Sequence, residues 1–191
     1  EVEIAPLISE RWSPRVFDAE FIIDEGSVKS ILEAARWAPS CFGDQPWKFI
    51  IFQKKDALQW VNALNCLSVG NQNWAMDTSL LICVCANKKF KHNDNENKWS
   101  QYDTGAASEN ICLQSTFLGL AAHQMGGFDS DKIRNLANIP VEFDVMSFIA
   151  VGKPLAKKLM TNEQAEAEGS ARKRLKLNEI YFENKWDNFE G

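Results

Sequence analysis

The sequence predicts a single domain of mixed helices and strands. Its 191 residues match the size of one domain. Apolar residues recur with helical spacing between Val28 and Ala35, whereas residues 49–52 and 80–86 are continuous apolar runs rich in strand-forming residues. Helical and strand-like segments follow one another along the chain, which predicts that both kinds of element contribute to the domain.

The first half of the chain is predicted to alternate helices with strands. Asp24 and Asp56 stand ahead of helical patterns, so we expect each to cap a helix N-terminus. The second of these helices is expected to bury Leu58, Val61, Leu64 and Trp60. The predicted elements are one helical turn in residues 1–10, a helix to about 37, a strand at 47–53, a helix to about 66, a polar loop at 70–74 and a buried strand at 79–86.

The second half is predicted to centre on a long helix. Residues 102–122 contain no proline and almost no charge, so we expect a largely buried helix at the centre of the domain or against its symmetry mate. Before it, residues 87–97 are rich in Lys, Asn and Asp and predict a mobile surface loop, a candidate lid. After it we expect a helix from Asp129 or Ser130 to about 138, a strand at 145–152 and a charged arm over 153–191, with a further strand near 175–180.

Two arginines near the start of the chain form a candidate phosphate site. Arg11, Ser13 and Arg15 are spaced two residues apart, and Pro14 disfavours helix at Ser13, so an extended backbone would direct both arginines to one side. Converging guanidinium groups can each donate two charge-assisted hydrogen bonds to a phosphate. The alternative, two solvated surface arginines, is the more frequent case on local sequence alone. The basic run 172–176 has the same two interpretations.

Two further stretches are candidate ligand-binding loops. Residues 37–47 join a helix to a strand and contain Pro39, Gly43 and Pro46, so this loop is expected to be rigid and irregular. Its exposed backbone N–H groups and small polar side chains suit a planar polar ligand, although an ordinary connector fits the composition equally well. The pair Gly126–Gly127 exposes backbone N–H groups, or forms a plain turn.

Composition and charge argue against several classes of protein. A formal net charge of −5 argues against a nucleic-acid partner. The five cysteines and two histidines lack ligand spacing, so no metal site is expected. Cys83 and Cys85 share one face of a predicted buried strand and are expected to be inert thiols, and we expect a reducing, cytoplasmic compartment. With no apolar run of membrane-spanning length and no secretory leader in view, a soluble protein is expected.

Five motifs in a shared order resemble those of the FMN-dependent nitroreductase family over nearly the whole chain. Each is weak alone, and their order carries the resemblance. They are R-x-S-x-R at Arg11, Ser13 and Arg15, A-P-S and Q-P-W at 38–40 and 45–47, G-L-x-x-H-x-x-G-G-F at 119–128, G-K-P at 152–154, and the basic pair Arg172 and Arg174. The chain departs from the family pattern at Gly43, where many members have Asn, so no side-chain hydrogen bond is expected from that position. No G-x-G-x-x-G occurs, so a Rossmann nucleotide site is not supported.

The resemblance implies an α+β fold with a mixed, mostly antiparallel central sheet flanked by helices. It also implies an intertwined homodimer with two FMN sites at the interface. Residues 1–191 would then form a single FMN-binding domain whose arm, 153–191, packs on the partner subunit.

The resemblance further implies which residues contact the cofactor. Arg11, Ser13 and Arg15, joined by Arg172 and Arg174, would hold the FMN phosphate and ribityl chain and place positive charge near the N1/O2 side of the flavin. Gly126 or Gly127 would present a backbone N–H toward flavin N5. The remaining expected contacts are Asn71, Gln45 and Met125, with Pro39, Ser40 and Cys41 from the second subunit. The expected substrate wall is Phe42, Trp74, Tyr102 and the 87–99 loop.

The implied activity is that of an NAD(P)H-dependent, nitroreductase-type oxidoreductase. NADH or NADPH would pass a hydride to the flavin and leave, and a small oxidant such as a nitroaromatic or a quinone would take its place, which is ping-pong kinetics. No side chain is expected to act as acid or base. Three alternatives stay open: another flavin reductase activity such as dehalogenation or enone reduction, a flavin-binding module or sensor without turnover, and a thiol redox protein that uses Cys41.

Overall fold

A four-stranded antiparallel sheet forms the centre of the molecule, which a computed structural model describes over residues 2–186. Its strands are β1 (Trp47–Gln53), β2 (Leu80–Asn87), β3 (Ala121–Met125) and β4 (Phe143–Gly152), in the spatial order β1-β2-β4-β3. All three pairings between neighbours are antiparallel. Within the described residues, β1 and β3 are therefore the edges of the sheet.

Seven α-helices of the described chain surround this sheet. They are α1 (Pro6–Glu10), α2 (Glu25–Arg36), α3 (Ala57–Leu64), α4 (Val69–Ala75), α5 (Ser100–Phe117), α6 (Ser130–Leu136) and α7 (Asn162–Glu168). The predicted α+β class, with helices flanking a central sheet, is confirmed. The sheet was expected to be mixed and mostly antiparallel, and within the described residues all of its pairings are antiparallel.

β2 separates two hydrophobic cores because its side chains are buried on both faces. Alternate residues from Leu81 to Cys85 face a core shared with α3, α4 and α6. The intervening residues, from Leu80 to Val84, face a core shared with α2 and α5. A strand buried on both faces has a continuous apolar sequence, which explains the run predicted at this position.

The predicted helix caps are confirmed. The Asp24 carboxylate accepts a hydrogen bond from the Ser27 backbone N–H at 2.9 Å, and the Asp56 carboxylate accepts one from Gln59 at 3.4 Å. At α6 the cap is Asp129 and not Ser130, because the Asp129 carboxylate accepts from the Lys132 N–H at 2.9 Å.

Two predicted elements have different bounds. Residues 70–74 were expected as a loop but belong to α4, where Trp74 is buried and contributes to the core. The long helix was expected to reach residue 122 but ends at Phe117, because Gly119 adopts a left-handed conformation with φ of 69°. The chain then forms the edge strand β3.

Two expectations about burial and pairing are wrong. In α3 the buried residues are Trp60 and Ala63, whereas Leu58 and Val61 are exposed. α5 is buried along one side within the single chain, while Tyr102 and Phe117 are 77% and 72% exposed, and its packing against a symmetry mate stays a prediction. The strand expected near 175–180 does not form: residues 177–179 make a 3-10 turn, and within residues 2–186 this segment pairs with neither edge of the sheet. The end of the predicted arm, 187–191, lies outside the described residues.

The thiols behave as expected for buried cysteines. All five cysteines are free, and Cys83 and Cys85 lie in the core with their sulfur atoms 3.9 Å apart. The contact with the Cys85 thiol, together with burial, raises the pKa of Cys83 and keeps it protonated.

Across residues 2–186 no helix has both the length and the hydropathy that crossing a membrane requires. The same residues contain no group of three or more potential metal ligands.

Candidate functional site

The basic segment, residues 11–15, runs without helical structure beside α5. The Arg11 Nη1 donates to Ser13 Oγ at 3.1 Å, and the Arg11 Nε lies 3.5 Å from Glu109 Oε1 on α5. Arg15 is exposed. The side chains of Arg11 and Ser13 therefore meet, while the Arg15 side chain faces solvent, and the convergence of Arg11 and Arg15 on a phosphate stays a prediction.

Contacts from distant parts of the chain hold the basic segment. The carbonyl of Pro14 accepts a hydrogen bond from His123 Nδ1 on β3 at 2.8 Å. The Glu168 carboxylate on α7 accepts from the Trp12 indole at 2.9 Å and from the Arg15 backbone N–H at 2.7 Å. The segment is thus fixed from β3 and from α7 at once.

His123 is a half-buried histidine within this arrangement. Its ring lies 4.5 Å from the ring of Trp74, centroid to centroid, and Trp74 in turn stacks on Phe17 at 6.1 Å. Burial lowers the pKa of His123 below its ordinary value, the hydrogen bond to Pro14 opposes that shift, and the charge on Arg15 lowers the pKa further. His123 is therefore a neutral N–H donor near neutral pH.

The two late arginines differ in their contacts. Arg172 donates to the carbonyls of Arg11, at 2.9 Å, and Ser9, and its guanidinium lies 5.6 Å from the Trp12 ring. Arg174 is exposed and donates to the carbonyl of its neighbour Lys173 at 2.8 Å. The fold brings Arg172 against the basic segment, whereas the hydrogen bond of Arg174 is local.

The end of β3 carries the glycine pair. The Gly127 carbonyl accepts from the Asn71 side chain at 3.0 Å and from the Ser68 N–H at 2.9 Å. A Cβ at Gly127 would lie 2.8 Å from Ser68 Oγ and 2.9 Å from Asn71 Nδ2, whereas a Cβ at Gly126 would meet open space. Met125, just before the pair, is buried. We call the basic segment, Asn71, His123 and residues 125–127 the β3-edge site.

The loop 39–45 has an irregular backbone, as predicted. Phe42, Gly43 and Gln45 have φ of 54°, 66° and 49°, all in the left-handed region. The Cys41 backbone N–H donates to Asp103 Oδ2 on α5 at 2.9 Å, and the Ser40 hydroxyl accepts from the Gln45 N–H at 3.0 Å. Pro39 is exposed and Cys41 is half-buried.

A second loop packs against this one and forms a hollow with it. The Phe42 ring lies 5.7 Å from Phe90 and 5.5 Å from His92. The Lys91 N–H donates to Asp44 Oδ1 at 2.9 Å, and the Lys91 ammonium donates to the carbonyls of Gln45, at 2.9 Å, and Asp44. The aromatic hollow, as we call this feature, has a volume of about 500 Å³ and is lined by Phe42, Gly43, Asp44, Gln45, Lys91 and His92.

The β3-edge site and the aromatic hollow lie apart in one chain. The hollow adjoins the start of β1, and β1 and β3 are three strand spacings apart, roughly 14 Å. The two regions are also offset along the strand direction. Trp47 on β1 lies level with Asp144 on β4, whereas β3 pairs with residues 148–152 of β4, which begin roughly 13 Å beyond Asp144. Of the predicted substrate residues, Phe42 lines the hollow and Trp74 lies with His123, while Tyr102 precedes Asp103, which contacts the loop 39–45 at Cys41.

Several contacting residues carry no motif. Glu168 lies in a charged stretch without pattern, and Phe90, Lys91 and His92 lie in a loop that the sequence marks only as polar. Asp103 and Glu109 did offer a signal, because they are the only acidic residues in a helix that is otherwise nearly uncharged. Each contacts one of the two regions, Asp103 the loop at Cys41 and Glu109 the basic segment at Arg11.

The sheet and the β3-edge site together define an α+β protein with a candidate site for a phosphate-bearing ligand. A model of the nitroreductase family matches residues 8–68 and 63–153. The chain belongs to the nitroreductase family.

Individual relatives agree with this assignment. A protein of Archaeoglobus fulgidus, assigned the name NADH dehydrogenase/NAD(P)H nitroreductase, is 31% identical over 160 residues, which cover 82% of this chain and 88% of the relative. A crystal structure described as an oxidoreductase containing FMN has a TM-score of 0.89 and 34% identity, over 98% of this chain and 94% of that one. A nitroreductase family protein from Clostridium difficile 630 has a TM-score of 0.72 and 22% identity over 97% and 100% of the two chains, which supports the fold.

Proposed function

We propose that the protein is an FMN-dependent oxidoreductase that takes electrons from NADH or NADPH and passes them to a small oxidant. The observation that carries the proposal is the β3-edge site, in which Arg11, Ser13 and Arg15 lie beside Arg172 in a chain of the nitroreductase family. The family name, the name of the Archaeoglobus relative and the FMN content of the similar crystal structure support the class of activity.

The residues of the β3-edge site fit a phosphorylated flavin. Guanidinium and hydroxyl donors suit a phosphate and a polyol chain. Gly127 lies where a Cβ would clash with Ser68 and Asn71, so the backbone here approaches its neighbours closely, while the backbone of Gly126 faces open space. This donor set and this exposed backbone are consistent with a cofactor that needs both an anion site and main-chain N–H groups.

When bound, FMN supplies the two-electron redox chemistry of the reaction. Arg11, Ser13 and Arg15, with Arg172 and Arg174, would hold the phosphate and ribityl chain, and the positive charge of the arginines would favour the anionic reduced state of the cofactor. Gly126 or Gly127 would donate a backbone hydrogen bond to the bound cofactor. Asn71 contacts the Gly127 carbonyl, and Met125 directly precedes the glycine pair. No side chain in this assignment acts as acid or base, so the protein contributes positioning and electrostatics.

The same proposal includes a homodimer. Pro39, Ser40, Cys41 and Gln45 are far from the β3-edge site within one chain, so they reach a cofactor there only from a second subunit. Tyr102 and Phe117 on α5 are exposed aromatic side chains, as expected for residues that a partner covers. The arm, from residue 153 onward, would pack on that partner beyond α7, which already contacts its own chain through Glu168.

The donor and the oxidant would share one site in turn, which gives ping-pong kinetics. The oxidant class is a nitroaromatic, a quinone or a similar small molecule, and the cellular location is the cytoplasm. Five free thiols are consistent with a reducing compartment.

A spectroscopic titration tests this function. The purified protein, supplied with FMN, is expected to be yellow, to bleach when NADH or NADPH is added without oxygen, and to regain colour when a nitroaromatic or a quinone follows. A yellow protein that neither donor bleaches would be a flavin-binding module without turnover. A protein that does not take up FMN would contradict the proposal.

A further inference from the structure

Glu168 ends α7 with a negative charge that the helix itself does not favour. It is the last residue of α7, where the helix dipole and the free carbonyl groups favour a positive charge. None of the seven residues of this helix, all of them within the described chain, is buried, so apolar packing does not hold α7 in place. The reason for an acidic residue here lies in its contacts outside the helix.

Both oxygens of the Glu168 carboxylate bind the basic segment. Oε1 accepts the Arg15 backbone N–H at 2.7 Å, and Oε2 accepts the Trp12 indole N–H at 2.9 Å. Hydrogen bonds to a charged group are roughly twice as strong as neutral ones. Glu168 is also half-buried, which limits screening of its charge by solvent. One side chain thus fixes both the backbone at Arg15 and the ring of Trp12.

The Trp12 ring also carries the next contact of the arm. The Arg172 guanidinium lies 5.6 Å from this ring and donates to the Arg11 carbonyl at 2.9 Å. Trp12 is therefore held by Glu168 at its indole N–H and by Arg172 over its ring. Through these contacts the arm and the basic segment form one unit, although Glu168 and Arg15 are 153 residues apart in sequence.

Glu168 places a negative charge among the positive charges of this unit. Burial, the largest influence, lowers the pKa of His123, and the charges of Arg15 and Arg11 lower it further. The Glu168 carboxylate acts on the same ring in the opposite direction, so it lies near these arginines. Guanidinium groups that share a small region repel one another. The Glu168 carboxylate offsets part of that repulsion in the chain without a ligand.

These contacts give Glu168 a part in binding as well as in folding. We propose that Glu168 is a positioning residue for the phosphate of the cofactor, because it joins the basic segment to the arm that carries Arg172 and Arg174. It acts through these neighbours, since both of its oxygens are already occupied. Donors that are held in place bind an anion without the cost of ordering them. This role rests on the proposed function and adds to it a residue that no sequence motif marks.

A comparison of two flavins isolates the phosphate. FMN and riboflavin have the same ring system and the same ribityl chain, and they differ in the terminal phosphate. A change that is limited to FMN therefore reports on the groups that bind the phosphate. The flavin-free protein is titrated with each flavin, and the quenching of flavin fluorescence gives the two dissociation constants.

Glu168→Gln tests the role, and Glu166→Gln on the same helix is the control. Glutamine has nearly the same shape but turns an NH2 group toward Trp12 or Arg15, both of which donate, so one of the two bonds is lost. We expect the Kd of FMN to rise about fivefold, as for the loss of one hydrogen bond, and that of riboflavin to stay the same. Glu166 is exposed, and Glu166→Gln should change neither constant.

A second variant covers the case in which Glu168→Gln is too unstable to titrate. Trp12→Phe removes one donor to the carboxylate and keeps an aromatic ring beside Arg172. It should also raise the Kd of FMN alone. Its effect should be smaller than that of Glu168→Gln, because the bond from the Arg15 N–H remains.

Three results would overturn the role of Glu168. Equal weakening of both flavins would mean that Glu168 only stabilises the fold. Tighter binding of FMN in Glu168→Gln would mean that the carboxylate repels the phosphate more than it positions the groups that bind it. An FMN affinity that neither Glu168→Gln nor Trp12→Phe changes would mean that this tie has no part in binding.

The proposed function can fail separately. A wild-type protein that shows this FMN and riboflavin pattern but is not bleached by NADH or NADPH would contradict the oxidoreductase and support the role of Glu168. A wild-type protein that binds riboflavin as tightly as FMN would overturn that role, while bleaching by either donor would still support the oxidoreductase. A protein that binds neither flavin would contradict both.

Discussion

The β3-edge site and the aromatic hollow are built in opposite ways. The first joins parts of the chain that are far apart in sequence, as in the pairs Pro14 with His123 and Arg15 with Glu168. Each of these two ties is a hydrogen bond between a side chain and a backbone group. The second is made by two short loops whose shape depends on left-handed backbone at Phe42 and Gly43 and on packed rings.

This difference matches two kinds of recognition. Charge-assisted hydrogen bonds from fixed donors favour one anionic group in one geometry. Stacking on an aromatic ring accepts many planar molecules and distinguishes little among them. Under the proposed function, the cofactor would therefore be held by the β3-edge site and not by the aromatic hollow. Mutations should separate the two regions in the following order of effect.

The largest effect is expected for the cofactor arginines. Arg15→Ala or Arg174→Ala should weaken FMN binding by about 2–3 kcal/mol, the value of a lost charge-assisted contact. Quenching of flavin fluorescence during titration measures this affinity. Arg36→Ala is the control, since Arg36 pairs with Glu33 on the surface of α2. Wild-type affinity in both arginine variants would mean that the phosphate lies elsewhere.

The next effect concerns the tie between α7 and the basic segment. Glu168→Gln removes the charge that accepts from Trp12 and Arg15 and leaves only one acceptor oxygen, so we expect a loss of about 1–2 kcal/mol in the free energy of unfolding. Denaturant unfolding measures it. Glu166→Gln, on the exposed side of the same helix, should be neutral. Equal stability of the two variants would show that this tie does not stabilise the fold.

A smaller effect is expected at the glycine pair. Gly127→Ala brings a methyl group against Ser68 and Asn71 and should cost about 1 kcal/mol, because both side chains have some room to move. Gly126→Ala enters open space and is the matched control. Thermal unfolding compares the two variants. A larger loss at Gly126 than at Gly127 would contradict the packing described for β3.

A pH dependence of stability is expected from His123. Because burial lowers its pKa in the folded chain, the unfolded chain takes up a proton first as the pH falls below the ordinary value of 6.5. The stability that neutral His123 contributes is complete above that pH and is lost between it and the lower folded pKa. His123→Gln should flatten this part of the curve of unfolding free energy against pH. An unchanged slope would mean that His123 titrates normally.

The smallest effect on stability is expected in the aromatic hollow. Phe42→Gly relieves a strained backbone and loses two ring contacts, so the two changes should nearly cancel, to within about 0.5 kcal/mol. Denaturant unfolding measures this balance. A loss of several kcal/mol would show that Phe42 supports the fold, and the contrast between the two regions would disappear.

Regular patterns in the sequence predicted the elements that depend on local chemistry. The caps at Asp24 and Asp56 and the two-sided burial of β2 follow from neighbouring residues. The end of the long helix at Phe117 was missed because the left-handed conformation of Gly119, and the strand after it, depend on pairing with β4.

The parts of the candidate site that lie within a single sequence motif were predictable. Contacts between two segments that are distant in sequence were not. The R-x-S-x-R motif singled out Arg11 and Ser13, and their side chains contact each other in the structure. Glu168 accepts a hydrogen bond from Arg15, which lies 153 residues earlier in the chain, and no local sequence pattern predicts such a contact. The tie between Lys91 and Asp44 also joins two loops, so only the fold reveals it.

The distribution of thiols makes the loop 39–45 open to selective chemical labelling. Cys66, Cys83, Cys85 and Cys112 are each at most 1% exposed, and burial is the main reason that the pKa of Cys112 is raised to about 12. Cys41 is the remaining thiol and is partly open to solvent. A maleimide dye should therefore attach to the native chain once, at Cys41. An environment-sensitive dye there would report, by its emission, the arrival of a flavin or an aromatic oxidant beside the loop.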